Sequence, residues 1–141
     1  MSKETTLVLF KTDCVQNKLV GEILNRFEKE QFTIRGMKMI ELSTELLEEH
    51  YSHVADRPFF PDIVNFMQAS PVIALALEGD DTVSRVRELL GPTNSDEAEK
   101  GTIRGDFGVG TMKNVCHASD SVESAETELN RFFNQNELFE Y

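Results

Sequence analysis

Pro71-Val72-Ile73-Ala74-Leu75-Ala76-Leu77 is the longest apolar run of the chain, and its reading decides the fold. Seven residues are far too few to cross a bilayer, which takes about 20. A short run that is apolar at every position, without period-2 alternation, suits a strand covered on both faces. Leu7-Val8-Leu9-Phe10 has the same character, so the two are expected to be the central strands of one sheet. Phe32 to Ile40 alternates less cleanly, with Thr33, Arg35 and Lys38 interspersed and Gly36 where a bulge would fit, as in an edge strand. A fourth strand is expected to end near Val115-Cys116.

Helical patterns separate these strands. Val20, Ile23, Leu24 and Phe27 fall on one stripe at the period of about 3.6 residues while Glu22, Asn25 and Lys29 face away. Further helices are expected after Ser43, over Phe60 to Met67 and after Asp81, with Ser and Asp as N-caps. The last is expected to open at Asp120, with Glu123 completing a capping box and Val122, Ala125, Leu129, Phe132 and Phe133 as its buried stripe. This order reads as α+β with a split βαβ core. Gly91 to Gly110 fits neither period and reads as a long irregular stretch, which in a compact chain points to function.

The 141 residues, 16.0 kDa, fit one compact domain spanning 1–141. With 14 Lys and Arg against 25 Asp and Glu, the formal charge is -11, a field that repels nucleic acid and anionic lipid. No nucleic-acid or membrane partner is expected. Cys14 and Cys116 have no ligand spacing and read as reduced thiols. The apolar run near the N-terminus is too short for a signal-peptide core of roughly 7–15 residues, so the expectation is a soluble, cytoplasmic protein.

His117 stands out among the three histidines, because it follows a strand and precedes small residues at the mouth of a capped helix. His50 and His53, at a helix end beside Tyr51, read as solvated or capping side chains. A metal site would want a second His or Cys at ligand spacing, and a catalytic triad a nucleophile elbow, and the sequence offers neither. A nucleophilic imidazole needs one ring nitrogen unprotonated and the other held by an acceptor. Glu126 and Glu128 on the following helix both qualify, and periodicity does not choose between them. A polyphosphate ligand would need cations gathered locally against the overall field; Lys11, Arg87 and Arg104 stand where a cleft could use them. Walker-type and Rossmann glycine patterns are absent.

Four separated segments then become recognisable together. They are Lys11-Thr12-Asp13-Cys14-Val15-Gln16; His50-Tyr51 with Asp56-Arg57-Pro58-Phe59-Phe60-Pro61; Gly101-Thr102-Ile103-Arg104-Gly105-Asp106-Phe107; and Asn114-Val115-Cys116-His117-Ala118-Ser119-Asp120-Ser121. In this order the chain resembles the nucleoside diphosphate kinase family nearly end to end. The resemblance implies a ferredoxin-like βαββαβ sandwich, with a four-stranded antiparallel sheet whose middle strands are the first and third. It implies ping-pong transfer of the γ-phosphate of a nucleoside triphosphate, by way of a phosphohistidine at His117, to a nucleoside diphosphate.

By the same resemblance Glu128 accepts from the second ring nitrogen and is steadied by Ser119, while Glu126 is a surface residue. Lys11, Arg87, Thr93 and Arg104 look like phosphate ligands, Tyr51 like the neighbour of the transferring group, and Asn114 with Lys11 like ribose contacts. Phe59 matches the residue that stacks on the base, with Ile63 opposing it, and stacking tolerates every base. Mg2+ would bridge the phosphates rather than bind a protein cage, and a homo-oligomer, tetramer or hexamer, is implied. The chain departs from the family pattern after Lys11, where Thr12 and Cys14 replace the usual Pro and Gly, so the turn is expected to differ or Cys14 to be strained. Ala118 replaces the usual glycine after the histidine. A catalytically weak regulatory protein and an RNA-binding module of the same fold are the competing readings; the second lacks the basic, aromatic strand surface it would need.

Overall fold

The computed structural model describes residues 3–141. Its sheet has four strands in the order β2-β3-β1-β4, with β1 (Lys3–Phe10), β2 (Thr33–Ile40), β3 (Val72–Asp80) and β4 (Cys116–Ala118). Every neighbouring pair is antiparallel. The two fully apolar runs are the middle strands, as expected. Their missing alternation has a direct cause. Val8, Phe10, Ile73, Leu75 and Leu77 face one apolar cluster, and Leu7, Leu9, Val72, Ala74 and Ala76 face a second on the other side. Ile23 and Phe27 of α2 (Val20–Lys29), with Val86 and Leu90 of α5 (Thr82–Leu90), cover the first face. Leu47 of α3 (Thr44–His50), Phe60 and Met67 of α4 (Phe60–Met67), and Leu129 and Phe132 of α7 (Val122–Phe132) cover the second.

β2 is an edge strand, and its pairing with β3 slips between Ile34 and Gly36. A bulge therefore sits where the glycine suggested. The chain end partly covers this edge, where the Phe139 N–H donates to the Arg35 carbonyl at 2.8 Å.

Several boundaries differ from the sequence reading. β4 begins at Cys116 instead of ending there, so His117 lies inside the strand, opposite Leu9. The last helix is capped by Ser121, whose hydroxyl accepts from the Ser124 N–H at 3.0 Å; Asp120 lies outside the cap. Ser43 does cap α3, accepting from Leu46 N at 3.1 Å. Asp81 stands at the start of α5 but makes no cap bond, and its φ of 50° turns it away. Glu4 of β1 does that work across the sheet, its Oε1 accepting from Val83 N at 3.1 Å.

The residues after Lys11 form a short helix, α1 (Thr12–Gln16), with Cys14 fully buried and outside the left-handed region. The strain expected at Cys14 is absent. The Gly91 to Gly110 stretch is also more ordered than its sequence suggests, holding a 3₁₀ turn at Ser95–Glu97 and α6 (Ile103–Phe107). α6 packs directly on the backbone before it: a Cβ on Gly105 would meet the Glu99 carbonyl oxygen at 2.0 Å and its carbon at 2.7 Å. Backbone atoms cannot step aside as a flexible side chain can, so Gly105→Ala is expected to destabilise by about 3 kcal/mol. Thermal unfolding checks this, and an unchanged midpoint would show that the segment yields freely.

Candidate active site

His117 is fixed from below by the pairing of β4 with β1 and from the side by α7. Its Nε2 lies 2.8 Å from Glu128 Oε1, and the same oxygen accepts from the Ser119 hydroxyl at 2.8 Å. Burial pulls the Glu128 carboxyl up, but the hydrogen bonds from His117 and Ser119 outweigh it and hold the group below its ordinary value. Glu128 is therefore an acceptor at neutral pH, so Nε2 carries a ring proton, and in the neutral ring the lone pair lies on Nδ1. Glu126 is exposed, which leaves Glu128 as the partner of the pair of carboxylates that periodicity could not separate.

The strand that carries His117 is launched from a strained residue. Val115 has φ of 63°, and Cys116 N–H donates to the Asn114 carbonyl at 2.8 Å around it, the bond of a γ-turn. A β-branched residue in this region costs about 1–3 kcal/mol. Buried Asp13 of α1 holds it there, its Oδ2 accepting from Val115 N at 3.0 Å, while Lys11 N–H donates to the Val115 carbonyl at 2.8 Å. The turn places Asn114 and His117 on the wall of one cleft of about 600 Å³.

Cations converge on that cleft. Lys11 Nζ donates to Asn114 Oδ1 at 2.8 Å and to the Met112 carbonyl at 2.7 Å, and burial lowers its pKa to about 8. Arg104, on α6, is aimed by bonds to the carbonyls of Gly91 at 3.0 Å and Cys116 at 2.8 Å. Burial lowers its pKa as well, with nearby Arg87 contributing. Arg87 donates to the Ala118 carbonyl at 3.0 Å. Asn114 Nδ2 donates to the Thr93 carbonyl at 2.9 Å, tying the Gly91 loop to the same wall. Lys11, Tyr51, Arg87, Thr93, Arg104, Asn114, His117 and Glu128 all line the cleft. The chain is strongly acidic overall, and Glu49, Asp120 and Glu123 also stand on the cleft wall, yet Lys11, Arg87 and Arg104 are brought to one cleft from three separate elements.

A second hollow of about 390 Å³ adjoins the first through Lys11 and Tyr51 and is lined by Phe59, Ile63 and Phe66. Phe59 is 50% exposed, so it is not a core aromatic, and its ring is free to take a stacking partner. The Tyr51 hydroxyl is pushed up to about 12 by burial and by Glu128, and stays a neutral donor.

The structure corrects the expectation that His50 is a solvated or capping side chain. It is only 8% exposed and its ring stands edge-to-face with His117, centroids 4.5 Å apart. Arg131 Nη1 donates to its Nδ1 at 2.9 Å. The signal was available: His50 follows Leu46 and Leu47 by a helical turn and so belongs to the buried stripe of α3. Asp13, by contrast, acts through a fold-dependent contact that no local pattern reports.

Fold and site together define an α+β protein that sets a carboxylate-held imidazole in a cleft that Lys11, Arg87 and Arg104 also line. Comparison with known proteins makes the class specific. Residues 4–138 match the family model described as nucleoside diphosphate kinase. A nucleoside diphosphate kinase of Methanosphaera stadtmanae is 45% identical over 139 residues, covering 99% of this chain and 91% of that protein. One from Acetivibrio thermocellus is 49% identical over 130 residues, covering 92% and 96%. Among solved structures, the Aquifex aeolicus enzyme superposes with a TM-score of 0.92 at 42% identity, covering 98% of this chain and 100% of that one. The Halobacterium salinarum enzyme in complex with CDP gives 0.95 at 38% identity, covering 99% and 93%. The chain belongs to the nucleoside diphosphate kinase family, and it is accordingly a phosphotransferase of nucleotide metabolism. Among the described residues no helix is long and apolar enough to cross a membrane.

Proposed function

We propose that residues 1–141 act as one nucleoside diphosphate kinase domain that moves the γ-phosphate of a nucleoside triphosphate, ATP among them, to a nucleoside diphosphate through a phosphohistidine at His117. The observation that carries this is the Nε2 bond to Glu128, which leaves Nδ1 as the free nucleophile of a residue that lines the same cleft as Lys11, Arg87 and Arg104. In the first half-reaction Nδ1 forms a bond to the γ-phosphorus while the bond to the β,γ-bridging oxygen breaks, and the nucleoside diphosphate leaves with that electron pair. Positive charge developing on the ring is spread to Glu128 through Nε2–H, with Ser119 holding the carboxylate in place. In the second, a β-phosphate oxygen of the acceptor attacks the same phosphorus and Nδ1 leaves with the pair. Phosphoryl transfer is mainly positioning and charge neutralisation, so this small set of groups suffices.

Lys11, Arg87, Arg104 and Thr93 serve as the phosphate ligands, Asn114 with Lys11 as the ribose contacts, and Tyr51 as a neutral donor beside the transferring group. Phe59 and Ile63 sandwich the base; because apolar faces do not read a base edge, specificity among bases is low. Magnesium prefers about six oxygen ligands. The group of potential ligands near His117 among the described residues is His50, His117 and Glu128, with donor atoms within 4.8 Å of one another. Two imidazoles and one carboxylate already bonded twice suit that ion poorly. It therefore enters with the nucleotide phosphates, as part of the substrate. The family reading also makes the protein a cytoplasmic homo-oligomer, tetramer or hexamer, working on free nucleotides and maintaining triphosphate pools.

The test is labelling of the wild-type protein with γ-radiolabelled ATP and magnesium. Acid-labile, alkali-stable label on His117, discharged by added nucleoside diphosphate, is expected. An unlabelled protein, or label on another residue, overturns the reading.

A further inference from the structure

We propose that His50, locked by Arg131, is a positioning residue that holds the His117 ring in its attacking orientation and keeps positive charge away from it. The inference rests on the phosphohistidine reading above and extends it to two residues outside that chemistry. An arginine side chain can only donate, so the 2.9 Å contact of Arg131 Nη1 with His50 Nδ1 requires a lone pair on Nδ1. The ring is then neutral, with its proton on Nε2, an atom that is buried without a hydrogen-bond partner among the described residues. Tyr51 at 5.0 Å, Phe132 at 5.1 Å and His117 at 4.5 Å, all near-perpendicular, wedge the ring in place. His117 is thus gripped at two points: Glu128 holds Nε2 and His50 stands against its flank. Together they fix the tilt that points Nδ1 into the cleft.

The charge state matters as much as the shape. Attack through Nδ1 puts positive charge on the His117 ring, and a second imidazolium in contact with it would oppose that charge. The titratable and charged groups facing His50 are His117 from β4, Glu128 and Arg131 from α7, and Glu49, Tyr51 and His53 at its own end of α3. Burial above all, with His117 and Arg131 adding to it against Glu128, lowers the His50 pKa to about 3. His50 stays uncharged through the whole range in which an ordinary histidine titrates. The proximity of His50, His117 and Glu128 does not make a transition-metal site, because the lone pair of His50 is already directed at Arg131.

The test is the pH profile of nucleotide exchange by the full chain, with kcat and KM separated. His50→Ala removes the flank and is expected to lower kcat about ten-fold at every pH without moving KM for the nucleoside diphosphate. His50→Phe keeps an edge-to-face ring that cannot protonate and should hold kcat within a few-fold of wild type across the profile. Arg131→Met leaves the His50 lone pair uncommitted and should lower kcat in the same way as His50→Ala, while burial, the largest cause of the lowered pKa, keeps the ring neutral. The ring nitrogen NMR shifts of wild-type His50 read its charge directly, and a neutral Nε2–H tautomer from about pH 5 to 8 is expected. The proposal is overturned if His50→Ala keeps wild-type kcat, if His50→Phe loses as much as His50→Ala, if the losses fall on KM, or if His50 titrates in that window. A wild-type protein that takes no label on His117 would instead sink the phosphohistidine reading, so the two failures are distinct.

Discussion

Replacing His117 by alanine is expected to lower nucleotide exchange by about 10⁴-fold or more while leaving the affinity for a nucleoside diphosphate within a few-fold of wild type. The size of the effect follows from the absence of a substitute at that point of the cleft. His50 is the nearest imidazole, but its only lone pair is committed to Arg131 and the ring is buried. His53 is exposed and sits beyond Tyr51. Glu128 would lose the N–H that pairs with it and keep only the Ser119 hydroxyl, which leaves an anion facing the incoming γ-phosphate and repelling it. Binding survives because the cations that hold the phosphates are anchored to main-chain carbonyls or to Asn114 and do not touch the imidazole. Steady-state exchange and calorimetric titration with ADP separate the two outcomes. Turnover within about 100-fold of wild type would mean that phosphate passes directly between nucleotides or through another side chain.

How far the molecule was legible in the sequence depends on the range of the contacts involved. The two middle strands were readable because burial on both faces leaves a signature in consecutive residues, and α2 because its stripe repeats within one helix. The start of β4 was misplaced because Val115, apolar and β-branched, looks like a strand residue and is in fact a left-handed turn. What holds it there is Asp13, 102 positions away in sequence. The cap of α5 was missed for the same reason, since it comes from Glu4, 79 positions upstream. At the site, the His117 and Glu128 pairing needed the family motif to separate Glu128 from Glu126. His50 was missed although its stripe position was visible, because a histidine at a helix end was read by residue type and not by its place in the apolar pattern.

Lys11 gives the other large expected effect, and its sign can be worked through. Burial lowers its pKa from 10.5 to about 8, with Arg104 adding to the shift and Asp13 opposing it. In the free protein the charged form is therefore disfavoured relative to the unfolded chain. The resulting destabilisation is fully present below about pH 8 and disappears as pH rises towards 10.5, so stability gains up to about 3 kcal/mol across that window from this group. A nucleotide phosphate reverses the preference, because it binds the ammonium and not the amine. Nucleotide affinity should accordingly fall as pH rises through about 8, by up to about ten-fold per unit, and binding near pH 8 should take up about half a proton. Lys11→Met removes the charge, keeps the length of the side chain and is expected to weaken phosphate binding about 100-fold. It should also abolish both the proton uptake, read by calorimetry in buffers of different ionisation enthalpy, and the alkaline fall in affinity. A variant that still loses affinity above pH 8 would move that titration to another group and strip Lys11 of its place among the phosphate ligands.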